Sequence, residues 1–476
     1  MLKHMLRRQI VEDILGFNFL INFVLISGTV IAFSLIFLSD YRGQMDDYAI
    51  KSARNENHLR HFSEDPRDAD YANIQLIMKP RAERFISLSY EDKFPQGFNF
   101  RIYPYELKVL SKKQDITGVG SYIPVTTREF IRSPELFSPD LTFVVQFLLS
   151  FFAVILAFNA VTGEKEAGTL RLVYANPAKR SYFIAAKYIS AMLTLVLPLL
   201  LGLITAAVTL GISSIVPLSS GFLSKLVIFA LLSLLYLSVF VLIGLFTSTV
   251  THNSKHSLVL SLIAWMFLVV ILPKSPGLLL NLKHFDVPTG EQIENQVARA
   301  SQDVQKKYEK EVMALRKDEG SFLRFLDKVV DPEIDHARQE VRDHYLRRKI
   351  AAVLTLRKVN IVSPASLYEY AASAVAGTGI FHFEDFWAQA RRYGDGFISF
   401  LKQTSGNQEP YTPFEFNIEW ITNKQFEYNA IPKFEEQNMR IGELLKDALP
   451  YVALLVLYNL FLFTLVFYKF DRYDIR

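Results

Sequence analysis

Residues 226–250 read LVIFALLSLLYLSVFVLIGLFTSTV and contain no charged side chain. About 20 apolar residues cross the hydrocarbon core of a bilayer, which is roughly 30 Å thick. This stretch therefore predicts a membrane-spanning helix, and it decides the fold class. The same criterion, applied outward in both directions, predicts six spans: Phe19–Leu38, Leu141–Asn159, Tyr188–Val216, Leu226–Val250, Ser257–Pro273 and Ala448–Tyr468.

The composition fits a chain in which membrane spans alternate with soluble segments. Of the 476 residues, 50% are hydrophobic and 21% are charged, and the mean hydropathy is +0.18. The net charge of +4 is small and dispersed, so nucleic acid is not an expected partner. The chain has no cysteine, which excludes disulfides and cysteine-ligated metals. We expect a mainly α-helical integral membrane protein.

The basic side chains of the short connections predict how the spans are oriented. Lysine and arginine concentrate on the cytoplasmic side of membrane proteins. Here they occur before the first span, between the second and third, between the fourth and fifth, and after the sixth, whereas residues 217–223 carry no charge. With an even number of spans these four segments share one side. Both termini, including the tail 469–476, are therefore predicted to be cytoplasmic.

Residues 1–18 form an amphipathic pattern ahead of the first span. Apolar residues recur at helical spacing, and Lys3, Arg7 and Arg8 occupy polar positions between them. A helix with one apolar and one basic face typically lies in the membrane interface. The pattern favours such an interfacial helix on the cytoplasmic side. The alternative is a helical extension of the first span.

Two long segments remain for the opposite side of the membrane. The first exterior segment, residues 40–140, is predicted to be an α+β domain, because a polar helical stretch over Met45–Phe62 precedes a strand-like stretch over Phe98–Leu110. The second exterior segment, residues 274–447, is predicted to be a mostly helical domain. The two are thus expected to be separate soluble units.

The second exterior segment contains two long amphipathic patterns. Apolar residues recur three to four apart over Gly290–Arg316 and again over Asp331–Leu356, and acidic residues and a proline mark the start of the second helix. The two helices suggest an antiparallel hairpin that packs on another element. A solvated coiled coil that projects outward is the alternative.

The sequence shows no arrangement typical of a catalytic centre. It lacks the Gly-x-x-x-x-Gly-Lys-Ser/Thr phosphate loop, so the chain is not itself an ATPase of that class. His382 and Glu384 near Asp385, and His252 with His256, are too few ligands to argue for a metal. A helix start and a solvated loop are the favoured interpretations of these two groups. We expect no catalytic residue, metal or cofactor in this chain.

The connection between the second and third spans carries the most informative pattern. Residues 159–180 read NAVTGEKEAGTLRLVYANPAKR. On physical grounds this is a charged connector in which glycines permit sharp turns. It resembles, however, the loop of type 2 ABC-exporter permeases, which reads Glu-x-Glu-x-Gly-Thr-Leu and, a few residues later, Pro-x-x-Arg. The matching residues are Glu164, Glu166, Gly168, Thr169, Leu170, Pro177 and Arg180.

The resemblance implies that residues 160–187, the coupling segment, hold a helix that docks on a cytoplasmic ATPase subunit and transmits its closure to the spans. It also implies a dimer of permease subunits, identical or related, and two ATPase subunits that carry ATP and magnesium. The residues predicted to couple to the ATPase subunit are Glu164, Glu166, Gly168, Thr169, Leu170, Arg171, Pro177 and Arg180.

Other parts of the chain resemble the same family. Residues 1–18 resemble its basic interfacial helix, and residues 363–386 and 470–476 resemble a subgroup with a large exterior insertion before the last span. The resemblance implies an exporter in the bacterial inner (cytoplasmic) membrane. The exterior segments would then be periplasmic or extracellular and available to an exterior partner.

Two other functions stay open at this point. An ABC-driven machine could act mechanically on an envelope partner through the exterior segments without transporting a substrate; only analogy supports it. An ion-coupled transporter or a receptor would belong to a different class. The spans carry no charge away from their edges, which disfavours an ion-coupled transporter, and a receptor would not need the coupling segment.

Overall fold

The computed structural model describes most of the chain, and six of its helices are long and apolar enough to cross a membrane. The predicted number of spans is therefore confirmed. The described residues are 15–65, 73–88, 97–101, 106–109, 139–170, 180–213, 219–275, 290–405 and 426–472, together with Gln9, Val11, Ile215 and Val216. The spanning helices, called spans 1 to 6, are Phe19–Glu64, Leu141–Glu166, Ser181–Ile212, Ser220–Val250, Ser254–Ser275 and Ile441–Asp471.

The helix that contains span 1 continues well past Leu38, the end of the predicted apolar stretch. This helix, α1, runs over Phe17–Glu64, which is 48 residues or about 70 Å at 1.5 Å per residue. The predicted span Phe19–Leu38 and the predicted polar helix Met45–Phe62 are thus parts of one rod. Ion pairs between residues four apart support its polar part, as between Lys51 and Asp47 at 2.7 Å.

Spans 2 and 4 form the centre of the bundle. Span 2 consists of α2, with α-helical Leu141–Phe143, π-helical Val144–Leu149 and α-helical Ser150–Ala157, followed by the short helix α3, Thr162–Glu166. Span 4 is α5, Ser220–Val250, and it packs against spans 2, 3, 5 and 6. Span 3 is α4, Arg180–Ile212, which also packs against α1; span 5 is α6, Ser254–Met266, with a π-helical turn at Phe267–Ile271.

Seven α-helices and one 3-10 helix, Tyr428–Ala430, follow span 5 in the described part of the chain. The α-helices are α7 Gly290–Lys307, α8 Glu309–Leu315, α9 Glu319–Phe325, α10 Asp331–Asn360, α11 Pro364–Ala376, α12 Ile380–Ser405 and α13 Ile441–Asp471. A π-helical turn, Leu326–Val330, joins α9 directly to α10. The acidic start predicted at Asp331 is therefore a continuation of a helix and not a free helix end. The last helix, α13, contains span 6.

A short buried helix, α11, lies among the spans and was not recognised in the sequence. Its 13 residues are too few to cross a membrane, yet it packs against spans 4 and 6. The Ser363 side chain accepts a hydrogen bond from the amide of Ser366 and caps the helix start, and Gly377 ends it at a φ of +77°. The Tyr368 hydroxyl lies 2.8 Å from the Ser233 hydroxyl of span 4.

The two exterior segments contribute to one hydrophobic cluster. Three antiparallel strands, β1 Asn73–Ile77, β2 Gly97–Arg101 and β3 Glu106–Val109, form a sheet in that order. Phe98 and Phe100 of β2 are buried together with Phe386 and Phe397 of α12 from the second segment. The strand predicted over Phe98–Leu110 is wrong in extent, because Phe98 pairs with Val109 across two strands.

Helices α7 and α10 form the predicted antiparallel hairpin. Arg338 on α10 donates a hydrogen bond of 2.8 Å to the Ser301 hydroxyl on α7. Lys307, at the end of α7, lies 2.6 Å from Glu333, near the start of α10. Val297 of α7 is buried in the same cluster as β2. The base of the hairpin thus packs on another element, whereas Val304, Val330 and Ile334 nearer its tip form a separate cluster among the helices of this region.

Buried ion pairs join the first exterior segment to the spans and to the second segment. Arg81 lies 2.7 Å from Glu436, and both side chains are less than a tenth exposed. Lys225, at the start of span 4, lies 2.8 Å from Glu83. Arg81 also donates to the carbonyl of Gly377 at the end of α11. Removal of one partner of such a buried pair would leave the other charge uncompensated and would destabilise the fold.

Candidate functional site

The candidate site is the coupling segment and the helix ends that surround it. After α2 the chain turns through residues 158–161 into α3, and Gly168 follows α3 with a φ of +67°. That left-handed conformation favours glycine. The described part stops at Leu170 and resumes at Arg180, whose backbone opens α4. Lys3, Arg7, Arg8, Arg171 and Pro177 lie outside the described residues.

Lys165 caps the end of span 4. Its ammonium donates three hydrogen bonds, to the carbonyl oxygens of Ser248 at 3.2 Å, Thr249 at 2.8 Å and Thr251 at 2.8 Å. The last carbonyls of a helix have no partner within the helix, and they carry the negative end of its dipole. A positive side chain at this position satisfies both the hydrogen-bonding groups and the charge.

Glu166 caps the start of span 5. Its carboxylate accepts hydrogen bonds from the amide of Ser254 at 2.8 Å and from the Ser254 hydroxyl at 2.7 Å. Free amides at a helix start carry the positive end of the dipole. These two hydrogen bonds stabilise the carboxylate form of Glu166 over the carboxylic acid. Glu166 therefore binds its own chain.

Glu164 faces the opposite way, toward span 3. Its carboxylate lies 3.1 Å from the ammonium of Lys187 and accepts a hydrogen bond from the Thr169 hydroxyl. Lys187 also donates to the side chain of Gln9 at 2.8 Å. The three consecutive residues Glu164, Lys165 and Glu166 thus connect the coupling segment to spans 3, 4 and 5.

The chain entering the coupling segment is fixed by serines of spans 4 and 5. The Ser248 hydroxyl accepts hydrogen bonds from the amides of Val161 at 2.9 Å and Thr162 at 3.0 Å. The Ser257 hydroxyl donates to the carbonyl of Phe158 at 2.6 Å. We did not identify these serines or Lys165 as site residues from the sequence. The small polar residues at the ends of spans 4 and 5 were the available signal.

The tip of the segment is its exposed part. Glu166, Ala167 and Gly168 are exposed, Thr169 is half-buried, and Leu170 is buried in the main hydrophobic cluster of the spans. Of the residues predicted to contact the ATPase subunit, Glu166 and Gly168 are thus at the surface, and Leu170 packs inward. The predicted acids Glu164 and Glu166 have partners within the chain. Contact of these residues with an ATPase stays a prediction.

Of the two weak metal candidates, the one around His382 lies apart from this site, and the one around His252 adjoins it. His382 is buried beside the Arg81–Glu436 pair, 3.5 Å from that carboxylate, and burial, together with the charges of Arg81 and Lys225, lowers its pKa well below the usual value. His252 lies in the connection between spans 4 and 5. Within the described ranges no group of three or more histidine or acidic side chains is placed to hold a metal ion.

Comparison with known proteins agrees with this arrangement of spans. The sequence profile of the family described as "ABC-2 family transporter protein" matches residues 14–475, nearly the whole chain. This chain belongs to that family. A segment of 78 residues is 37% identical to the probable ABC transporter permease protein NosY of Pseudomonas aeruginosa. That alignment covers 16% of this chain and only 28% of the relative.

Family membership identifies the broad role of the chain. It is a multi-pass membrane protein and the permease component of an ABC transporter. The coupling segment lies within the matched residues, between spans 2 and 3.

Proposed function

We propose that this chain is the permease subunit of an ABC exporter of the inner (cytoplasmic) membrane. The coupling segment and both termini face the cytoplasm, because their lysines and arginines mark that side. Two permease subunits, identical or related, pair with two ATPase subunits, which bind ATP and magnesium. The exterior segments lie on the opposite side. Export as the direction rests on the resemblance of the coupling segment to those of type 2 exporters.

One observation carries the proposal. The coupling segment presents an exposed tip, Ala167 and Gly168, on a base that is fixed to three spans. A docking surface that transmits motion needs both an accessible contact and a rigid attachment. The tip supplies the contact, together with Thr169, Arg171, Pro177 and Arg180 as the resemblance implies. Glu164, Glu166 and the buried Leu170 supply the attachment.

The test is co-purification of the chain from its own cells in mild detergent, with mass spectrometry of the accompanying proteins. We expect a stoichiometric soluble ATP-binding protein. Ala167→Glu adds a charge and bulk to the exposed tip without straining the backbone, and we expect it to release the ATPase subunit. Ala351→Glu is the matched control, since Ala351 is exposed on α10 of the second exterior segment.

The outcomes separate the proposal from its rivals. Release by Ala167→Glu and retention by Ala351→Glu would support docking at the tip. Retention of the ATPase in both variants would place the docking surface elsewhere. Absence of any ATPase from the wild-type preparation in several detergents would refute the proposed function.

A further inference from the structure

Two neighbouring side chains of opposite charge meet two helix ends of opposite polarity. Lys165 binds the carbonyl end of span 4, and Glu166 binds the amide end of span 5. Each charge faces the helix pole that it stabilises. The two spans are joined by a short connection of three residues, Thr251–Asn253, so the two poles lie side by side. The sequence Lys-Glu therefore matches a pair of adjacent poles.

We propose that Lys165 and Glu166 are positioning residues that lock the coupling segment to spans 4 and 5. A displacement of the segment then moves spans 2, 4 and 5 together. It is not confined to spans 2 and 3, to which the segment is covalently joined. This inference rests on the proposed function, because the displacement is supplied by the ATPase subunit.

The packing around this lock leaves little room for the segment to slide. A methyl group added at Gly244 of span 4 would lie 2.6 Å from the Cβ atom of Ala157 of span 2, so the two helices touch backbone to backbone just before the turn. The Ser248 and Ser257 hydroxyls fix the turn itself. Lys165 and Glu166 complete the attachment beyond the turn, at the base of the exposed tip.

The link to span 3 differs from this lock. It consists of the side-chain pair of Glu164 and Lys187 at 3.1 Å, which can rotate about several bonds. Lys165, in contrast, is held by three backbone carbonyls at once. Hydrogen bonds from a charged group are stronger than those between neutral groups, and three of them restrict the ammonium to one position. The coupling segment is thus held more rigidly to spans 4 and 5 than to span 3.

The test uses nitroxide pairs in the full complex purified from its own cells. The chain has no cysteine, so two introduced cysteines are the only thiols that it can offer for labelling, and the complex with the unsubstituted chain gives the background from the other subunits. Gly163→Cys places one label on α3, where an added Cβ atom meets nothing within 4 Å. His256→Cys places the other on the exposed first turn of span 5. Dipolar broadening of the spectrum is recorded without nucleotide and after trapping with ATP and vanadate.

We expect the wild-type pair to keep the same broadening in both states, because the segment and span 5 move as one. In Lys165→Met with Glu166→Gln, we expect weaker broadening that changes between the states. The ATPase rate that depends on the permease should fall by about tenfold for Lys165→Met, while the amount of co-purified ATPase stays constant. Lys165→Arg keeps the charge and the donors and should behave like wild type. Lys469→Met, an exposed lysine at the end of span 6, is the control.

A charge exchange tests the polarity directly. Lys165→Glu with Glu166→Lys keeps both charges but places each at the wrong helix pole, and we expect the same loss as in the neutral pair. Wild-type broadening and ATPase rate in either double variant would overturn the lock. If no ATPase accompanies the wild-type chain, the proposed function fails, and the spectra without nucleotide still decide whether the two side chains hold span 5.

Discussion

A single methyl group at Gly244 tests how closely spans 2 and 4 cross. An added Cβ atom would lie 2.6 Å from the Cβ atom of Ala157, 3.2 Å from its carbonyl carbon and 3.3 Å from the amide nitrogen of Phe158. Nonbonded carbon atoms in optimal contact are about 3.5–4.0 Å apart. Gly244→Ala therefore requires the helices to separate by about 1 Å, at a place where backbone and not a flexible side chain must yield.

The expected magnitude is a balance of two opposing effects. Overpacking of a well-packed core typically costs about 1–3 kcal/mol. Alanine in place of glycine within a helix contributes roughly 0.5–1 kcal/mol in the other direction. The carbonyl of Phe158 is held by the Ser257 hydroxyl at 2.6 Å, so the turn cannot simply retreat. We expect a net loss of stability on the order of 1 kcal/mol, within a range of roughly 0–2.5 kcal/mol.

The assay is the thermal unfolding midpoint of the purified chain in one detergent, with two matched controls. Gly28→Ala places its methyl group where nothing lies within 4 Å, and Gly202→Ala meets side-chain atoms at 3.6 and 3.7 Å, which is ordinary contact. Both controls lie within spans and should equal or exceed the wild-type midpoint, whereas Gly244→Ala should fall below it. A midpoint for Gly244→Ala that matches Gly28→Ala would refute the close crossing.

Two further predictions concern buried charges outside the spans. Glu436→Leu leaves the Arg81 guanidinium buried without its carboxylate and should cost about 3–5 kcal/mol, whereas the double variant with Arg81→Leu should recover most of that loss; the thermal midpoints of the two single variants and the double variant measure this. Burial lowers the pKa of Lys349 from 10.5 to about 8, so above pH 8 the folded chain loses this proton before the unfolded chain does. Stability should therefore rise from about pH 8 to pH 10 through this group. Lys349→Met should remove that part of the rise, and an unchanged pH profile would contradict it.

The spans were predictable because the bilayer imposes a simple length and polarity rule on the sequence. The rule gives the apolar length of span 1 but not the end of its helix, because the polar half of α1 continues as a helix beyond the apolar stretch. It also missed α11, whose 13 residues are too short to be recognised as a span. Its cap, Ser363-Pro364, and its terminal Gly377 were visible in the sequence, but its burial depends on spans 4 and 6.

The coupling segment was found from its motif, but the directions of its side chains were not. Lys165 and Glu166 contact residues more than 80 positions later in the chain, and no local pattern predicts which helix ends those will be. An exposed charged loop and a set of helix caps have the same composition. An exposed loop can be told from a set of helix caps only when the positions of the helix ends are known, and those positions depend on the packing of the whole bundle.

Span 4 joins the two sides of the molecule. Lys165 holds its last carbonyls, and Lys225 in its first turns is paired with Glu83 of the first exterior segment. Its 31 residues are about 46 Å long, and the Tyr368–Ser233 hydrogen bond fixes its middle to α11. Bending span 4 at one end while the other stays in place would break buried polar contacts, whereas a rigid displacement that carries α11 and Glu83 along keeps them. If the coupling segment transmits motion as proposed, we therefore expect it to reach the exterior segments at lower energetic cost as a rigid-body shift of span 4 than as a local change.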